Sequence, residues 1–314
     1  MKVITLHHPH SFNKDDFPQM VLALGFFDGV HRGHQEVIQS AKNVALEKKL
    51  KMGVMTFDPH PSVVLSKTSK QVKYITPLDD KIARMKTLGV DYLFIVRFTS
   101  KFASLEPQAF IDQYIIGLNV KHVTAGFDYT YGKKGKGTME TLPDHSRGQF
   151  SYHTVGKLAE NNKKISSTYI RKSLREGQLT EVTNLLGRFY TTKGTVIQGE
   201  KRGRKIGFPT ANIQLNADYI IPKTGVYAVR IFVNNSWYHG VCNVGYKPTF
   251  KHPDEYTLSI EVHIFDFHAS IYGEEVEIEW HQRIRDEKKF NGVEALIKQI
   301  SADKDIAAQY FAQL

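Results

Sequence analysis

The stretch Gly25-Phe26-Phe27-Asp28-Gly29-Val30-His31-Arg32-Gly33-His34 constrains this 314-residue chain more than any other. The apolar run Met20-Val21-Leu22-Ala23-Leu24 leads into it, and an amphipathic run over 35–50 leads out. Strand, glycine-containing turn and helix, in that order, build a nucleotide phosphate site at a helix N-terminus. The N–H groups of the first helical turn point at the ligand, and the helix dipole favours an anion there. Gly25, Gly29 and Gly33 let the backbone take positive φ and approach phosphates closely. His31 and His34, in H-x-G-H spacing, supply donors that strengthen as charge develops on a phosphate.

The length exceeds the roughly 250–300 residues at which one core stops growing, so two domains are expected. Strand candidates fall at 3–6, 20–24, 53–57, 92–98 and 121–125, and helices at 35–50, 79–88 and 107–118. Strand and helix alternate, which predicts an α/β, Rossmann-like domain with a parallel sheet. Ligands in such sheets bind beyond the strands' carboxyl ends. Helix signals recur at 165–171 and 180–187. Beyond them Val-, Tyr- and Phe-rich runs at 189–198, 208–213, 225–233, 236–243, 257–265 and 276–281 alternate with turn residues. Six such strands predict a small antiparallel β-barrel. A closing helix over 293–312 follows, with Val293, Leu296, Ile297, Ile300, Ile306 and Tyr310 as its apolar face. The domains are set at 1–185 and 186–314.

The net charge of +10 is uneven. Residues 1–185 carry 26 Lys and Arg against 17 Asp and Glu, whereas 186–314 carry 16 against 15. A basic first half suits a polyanion, and nucleotide and nucleic acid both fit that charge. The single cysteine, Cys242, excludes an intramolecular disulfide and a cysteine-rich zinc site, and it reads as a buried strand residue. No H-E-x-x-H or similar helical spacing exists for zinc. His7-His8-Pro9-His10 interrupts the apolar start, and no apolar stretch approaches the roughly 18 residues of a membrane helix. A cytoplasmic protein without a membrane partner is expected, and self-association is left open.

Several further stretches carry chemistry. Asp58-Pro59-His60-Pro61 is a stiff loop at a strand's C-terminal end. The loop Gly132–Thr138 resembles a P-loop but fails its pattern, because Thr138 follows Gly137 where lysine is required. Ser166-Ser167-Thr168 with Arg171 offers hydroxyls, a helix N-terminus and a guanidinium, suited to a triphosphate. The loop from Gly199 to Asn212, with Gly203, Lys205 and Gly207, can wrap phosphates. Thr210 and Asn212 then offer oxygens of the kind Mg²⁺ accepts beside phosphates. Glu261, in the strand Ser259–Ile264, is a candidate general base for phosphoryl transfer, although a strand glutamate more often faces solvent.

Together these residues resemble the bifunctional riboflavin kinase/FAD synthetase family of bacteria. The carriers, in chain order, are Gly25–His34, Thr56–Pro61, Gly126–Gly137, Ser166–Thr168 with Arg171, and Leu186–Arg188. They continue with Gly207-Phe208-Pro209-Thr210-Ala211-Asn212, Gly225–Ala228, Asn243–Phe250, Glu261–Phe267 and Arg285–Phe290. The G-F-P-T-A-N segment is the most specific. The resemblance implies two reactions on one chain: ATP-dependent phosphorylation of riboflavin to FMN, then adenylyl transfer from ATP to FMN, giving FAD and pyrophosphate. It implies that Gly25, Phe27, Asp28, Gly29, His31, His34, Ser166, Thr168 and Arg171 bind ATP in the first domain. Pro59, His60, Asp128 and Tyr131 would lie at the flavin there. Gly199, Gly203, Lys205, Gly207, Thr210 and Asn212 would bind ATP in the second, with Mg²⁺ on Thr210 and Asn212 and Glu261 as base. His31, His34 and Glu261 are the expected catalytic residues. Two positions depart from the family: Tyr169 stands where arginine is common, and Asp128 where some members have asparagine.

Two other readings compete. One is a single-activity adenylyltransferase on another phosphorylated cofactor precursor; the G-F-P-T-A-N barrel argues against it. The other is a flavin- or RNA-binding regulator without turnover, against which stand the intact His31, His34, Thr210, Asn212 and Glu261. Nucleic acid is therefore not the expected partner.

Overall fold

A computed structural model describes residues 1–66, 72–160, 163–200, 202–248 and 256–314. Lys201, Thr249 and Phe250, which fall in stretches singled out in the sequence, lie outside these residues. The chain forms two compact units, Met1–Ser167 and Thr168–Leu314.

The first unit is built on six parallel strands: β1 (Lys2–Leu6), β2 (Met20–Leu24), β3 (Lys51–Asp58), β4 (Tyr92–Arg97), β5 (Val120–Gly126) and β6 (Ser151–Val155). Their order across the sheet is β1-β4-β3-β2-β5-β6. Helices α1 (Arg32–Glu47) and α2 (Leu78–Thr87) connect β2 to β3 and β3 to β4. Strand residues alternate between faces, so a strand covered on both sides is apolar throughout. In β2, Met20, Leu22 and Leu24 join the core that holds Phe94, Phe110 and Tyr114. Val21 and Ala23 join the opposite core, with Val37, Ile38, Ala41 and Ala45 of α1 and Met85 of α2.

The chain runs from β2 through β3 and β4 towards one edge, then returns to place β5 on the other side of β2. The crevice beyond the carboxyl ends of β2 and β5 is therefore the topological switch point, where α/β sheets bind ligands. Gly25–His34 leaves β2 there, and Gly126 ends β5 there.

Two elements differ from expectation. The helix over 107–118 is α-helical only over Pro107–Phe110 and widens into a π-helix over Ile111–Ile116, with Gly117 N–H donating to the Asp112 carbonyl at 2.8 Å. The edge strand β6 had no sequence signal because its first four residues, Ser151–Thr154, are exposed and do not alternate.

In the second unit, helices α3 (Ser167–Glu176) and α4 (Leu179–Leu186) precede a closed barrel, α3 opening at the last residue of the first unit. Its strands are β7 (Tyr190–Ile197), β8 (Ala211–Leu215), β9 (Gly225–Val233), β10 (Ser236–Pro248), β11 (Tyr256–Ile264) and β12 (Glu275–Arg285). Every neighbouring pair is antiparallel, in the order β7-β8-β11-β10-β9-β12 and back to β7. Inside, the buried Trp280 donates from Nε1 to Thr192 Oγ1 at 3.0 Å and meets the Tyr227 ring edge-on. Cys242 is buried in β10.

The last helix, α5 (Val293–Ala312), uses part of the apolar face read from its sequence: Leu296, Ile297, Ile300 and Tyr310 are half-buried. Val293 and Ile306 are 57% and 44% exposed, whereas Asp303 and Ala307 are buried. An ion pair decides the orientation: Arg285 of β12 grips the Asp303 carboxylate through Nε at 2.9 Å and a terminal nitrogen at 2.7 Å. A bidentate pair of this kind is strong enough to draw a carboxylate inward.

One buried histidine supplies a pH test of the first unit. Burial, followed by the nearby Lys48 and His153, holds His122 down at a pKa of about 4, against an ordinary 6.5. The unfolded chain therefore binds a proton that the folded chain refuses. Stability is full above pH 6.5 and falls as pH drops from there towards 4. Replacing His122→Gln should shrink the drop in thermal midpoint between pH 7 and pH 5, whatever the midpoint itself. Calorimetry at the two pH values checks this, and an undiminished drop contradicts it.

Candidate active sites

The first site grows from the turn between β2 and α1. φ is positive at Phe27 (57°), Gly29 (88°) and Val30 (41°). Glycine takes that conformation freely; phenylalanine and above all β-branched valine do so only when the surroundings hold them. Four anchors hold this turn. The Asp28 carboxylate, only 2% exposed, accepts the N–H groups of Ile75 and Thr76, each at 3.0 Å. The Phe26 carbonyl accepts Thr56 Oγ1–H at 2.7 Å and the Lys81 ammonium at 2.8 Å. Ser167 Oγ donates to the Asp28 carbonyl at 2.8 Å, and Gln35 Nε2 to the Val30 carbonyl at 2.8 Å. The carbonyls of residues 26, 28 and 30 are thus all engaged by side chains. Phe27 and Asp28, expected at ATP, turn their side chains inward instead. The Phe27 ring is buried against Gly25, where any Cβ would stand 2.8 Å from it.

His31 caps α1, its Nδ1 accepting the His34 N–H at 3.2 Å. An accepting Nδ1 places the proton of a neutral ring on Nε2. The two imidazoles stack, with centroids 3.5 Å apart and planes 18° off parallel. The edge of Phe27 meets His34 at 5.3 Å. Burial, then His31 and Lys81, pushes the His34 pKa well below its usual value, so this ring is neutral at pH 7. A neutral imidazole donates one N–H to a phosphate without bringing a cation against its stacked neighbour.

The other expected residues divide. Ser166 lies in the first unit, one residue before its last, while Thr168 and Arg171 lie on α3 within the second. An apolar cavity of about 420 Å³ opens beside β3, lined among others by Phe57, Phe98, Tyr129 and Tyr131. Tyr131 is buried and its hydroxyl bonds His145 Nδ1 at 2.7 Å. Pro59, His60 and Asp128 are not among the residues lining this cavity. His60 caps the short helix Pro61–Leu65 and sets its ring edge-on to Phe26 at 4.4 Å. Asp128 is exposed and ion-paired with Lys164. The P-loop-like segment is a tight hairpin, with Gly137 packed on the Tyr131 ring and Lys133 paired with Glu106 at 3.3 Å.

The barrel builds the second site by register. Asn212 of β8, Glu261 of β11 and Asn243 of β10 are direct cross-strand partners. Side chains opposite one another across three adjacent strands share one face. Ile260, Val262 and Ile264 fill the barrel, so Glu261 stands on its outer face. Thr210 Oγ1 donates to Glu261 Oε2 at 3.3 Å, Ser259 Oγ to Oε1 at 3.2 Å, and Lys247 Nζ pairs with Oε1 at 2.5 Å. Gly199 packs directly against the Asn212 carboxamide, and a Cβ at Gly203 would strike the Phe208 carbonyl at 2.2 Å. Gly207 takes φ +86° with open space around it, and Lys205 ends the short helix Arg202–Lys205.

Two cavities meet at Thr210, beside this row; Asn212 is among the lining residues of neither. One, of about 340 Å³, lies between the barrel's outer face and α5; Thr210, Asn243, Glu261, Arg285, Leu296 and Asp303 are among its walls. The other, of about 500 Å³, runs past Arg204, Pro209 and Ala211 to Tyr272. Thr210 lines both. Both volumes fall within the range of small-molecule sites. Thr210 and Asn212 present hard oxygen donors too few to cage an ion, which suits Mg²⁺ that takes its other ligands from phosphates and water.

The sequence pattern of FAD synthetase matches residues 13–169, and that of riboflavin kinase matches residues 186–311. Relatives named bifunctional riboflavin kinase/FMN adenylyltransferase are 56% identical in Listeria monocytogenes and 54% in Bacillus subtilis, over 100% of this chain and 99% of each relative. This chain belongs to that family. The Escherichia coli member is 32% identical over 96% of both chains. The crystal structure of a macrolide-efflux protein from Streptococcus pneumoniae aligns with a TM-score of 0.87 at 35% identity, covering 97% of this chain and 99% of that one. Among the described residues, no helix here is long and apolar enough to cross a membrane.

Within the family frame, sequence reading missed Lys81, Thr56, Asn243 and the Arg285–Asp303 pair as parts of the sites. Lys81 falls inside the helix expected over 79–88. Its only local signal is its place four residues before Met85, on the helix's buried face. Asp28 gives the sharpest test of the turn. Asp28→Ala leaves the buried N–H groups of Ile75 and Thr76 without their carboxylate and should cost the first unit about 3 kcal/mol. Urea unfolding of the full chain measures this, and an unchanged midpoint for the α/β transition contradicts the anchoring role.

Proposed function

We propose that this chain makes FAD from riboflavin in two steps, with the kinase reaction in residues 186–314 and adenylyl transfer in residues 1–185. The observation that carries the kinase assignment is the sharing of Thr210 by two cavities beside Glu261. Riboflavin occupies the cavity beneath α5, and ATP the one beyond Thr210. The terminal ribityl hydroxyl attacks the γ-phosphorus, its proton passes to Glu261, and the bond to the β-phosphate oxygen breaks to release ADP. Thr210 and Asn212 are the side chains proposed to hold Mg²⁺, whose chemistry when bound is to neutralise phosphate charge.

Adenylyl transfer needs no protein nucleophile, since an FMN phosphate oxygen attacks the α-phosphorus and pyrophosphate leaves. Positioning and charge stabilisation are what the protein contributes. His31 and His34, stacked at the N-terminus of α1, donate to the phosphate oxygens. The apolar cavity at Tyr129 and Tyr131 supports a flavin ring nearby. ATP and FMN are anions, which accounts for the basic excess of the first half, and a cytoplasmic location follows from the need for ATP.

The full chain, given riboflavin, ATP and Mg²⁺, should accumulate FMN and then FAD on chromatography. His34→Ala should stop at FMN, with FMN-to-FAD conversion down about 100-fold or more. Glu261→Ala should block FMN formation by a similar factor while still converting added FMN to FAD. Loss of both steps in either variant, or no flavin product from the unmodified chain, contradicts the assignment.

A further inference from the structure

A lysine is buried directly beneath the phosphate turn. Lys81 is 2% exposed, and its Nζ lies 2.8 Å from the Phe26 carbonyl, 3.2 Å from Thr56 Oγ1 and 4.1 Å from the centre of the Phe26 ring. Thr56 Oγ1 already donates to that same carbonyl at 2.7 Å. Satisfying Phe26 therefore does not require the ammonium. On the buried face of α2, with Met85 one turn on, an apolar residue would pack at lower desolvation cost. What an apolar residue would not supply is positive charge under a turn whose carbonyls are engaged from behind.

We infer that Lys81 is a positioning residue for adenylyl transfer: its buried charge holds the Phe26 carbonyl away from the ligand and biases the Gly25–His34 turn towards a polyphosphate. The inference rests on the assignment of that turn to ATP. In a low-dielectric interior, a fixed charge beneath the site acts more strongly than the same charge in water. The groups facing Lys81 fit this role. Asp28 of the turn and Asp58 at the end of β3 favour its charged form, and Arg97 of β4 pairs with Asp58. His34 of α1 lies in its field and is kept neutral partly by it. Burial still prevails over the two carboxylates, holding the Lys81 pKa down to about 8. The charge is thus present at pH 7 and is lost as pH rises through about 8.

The test compares the full-length chain with Lys81→Met and Lys81→Arg, following FMN-to-FAD and riboflavin-to-FMN conversion separately between pH 6 and 9.5. The unmodified chain should show kcat/KM for adenylyl transfer falling above pH 8. Lys81→Met should lose 10-fold or more at pH 7 and lack that alkaline limb, with riboflavin phosphorylation unchanged. NMR titration should place the His34 imidazole pKa higher in this variant. Lys81→Arg keeps a charge that does not titrate, so it should retain activity at pH 7 and push the limb out of range. If Lys81→Met misfolds, the Lys81→Arg profile decides alone. A Lys81→Met enzyme with the normal rate, or either variant with the alkaline limb in place, overturns the inference. The assignment of the turn is read independently: it fails only if His34→Ala also leaves FMN-to-FAD conversion intact.

Discussion

The Asp28 carboxylate on the N–H groups of Ile75 and Thr76 is the contact on which the first site depends. A turn carrying left-handed Phe27, Gly29 and Val30 is not one the chain adopts by local preference. Its geometry is imposed from outside: the backbone N–H groups of Ile75 and Thr76 hold the Asp28 carboxylate, and the Thr56, Lys81, Ser167 and Gln35 side chains engage the turn's carbonyls. The consequence is directional. With carbonyls 26, 28 and 30 committed to the protein, α1 presents its N-terminus, His31 and His34 to whatever binds in the switch-point crevice. Preorganisation of this kind is what a reaction needing only positioning and charge stabilisation requires.

The second site reaches a similar end by other means. No helix dipole is needed; antiparallel register aligns Asn212, Glu261 and Asn243, and tight glycine contacts at 199 and 203 bring the basic loop against the row. α5 closes the cavity because Arg285 draws Asp303 inward. The ion pair between Lys247 and Glu261 and the Thr210 hydroxyl fix the carboxylate in the wall of the cavity beneath α5, beside the Thr210 that both cavities share. The two sites proposed to handle phosphate are thus built by different structural means.

Much of this was legible in the sequence, for identifiable reasons. Apart from the edge strand β6, the strands of the sheet and barrel declare themselves by apolar runs or alternation, and the turn after β2 by local glycine and histidine spacing. The outward face of Glu261 and its partners followed only once register was known, because a strand's sequence does not say which residue lies opposite. Lys81 and Thr56 were invisible for a related reason: they reach Phe26 across 55 and 30 residues of chain. Asp28 and Phe27 sit inside the motif, and their side chains hold it from within, which only the tertiary contacts reveal. The apolar stripe of α5 is used only in part: Leu296, Ile297, Ile300 and Tyr310 are half-buried, whereas Val293 and Ile306 are exposed and Arg285 draws Asp303 inward.

Hydrogen–deuterium exchange on the full chain, with and without a non-hydrolysable ATP analogue and Mg²⁺, tests most directly whether two separate phosphate sites exist. The account predicts slowed exchange in two segments, 25–34 and 203–212, each saturating with its own dependence on analogue concentration. Protection confined to one of these segments, or absent from both at saturating analogue, would contradict it.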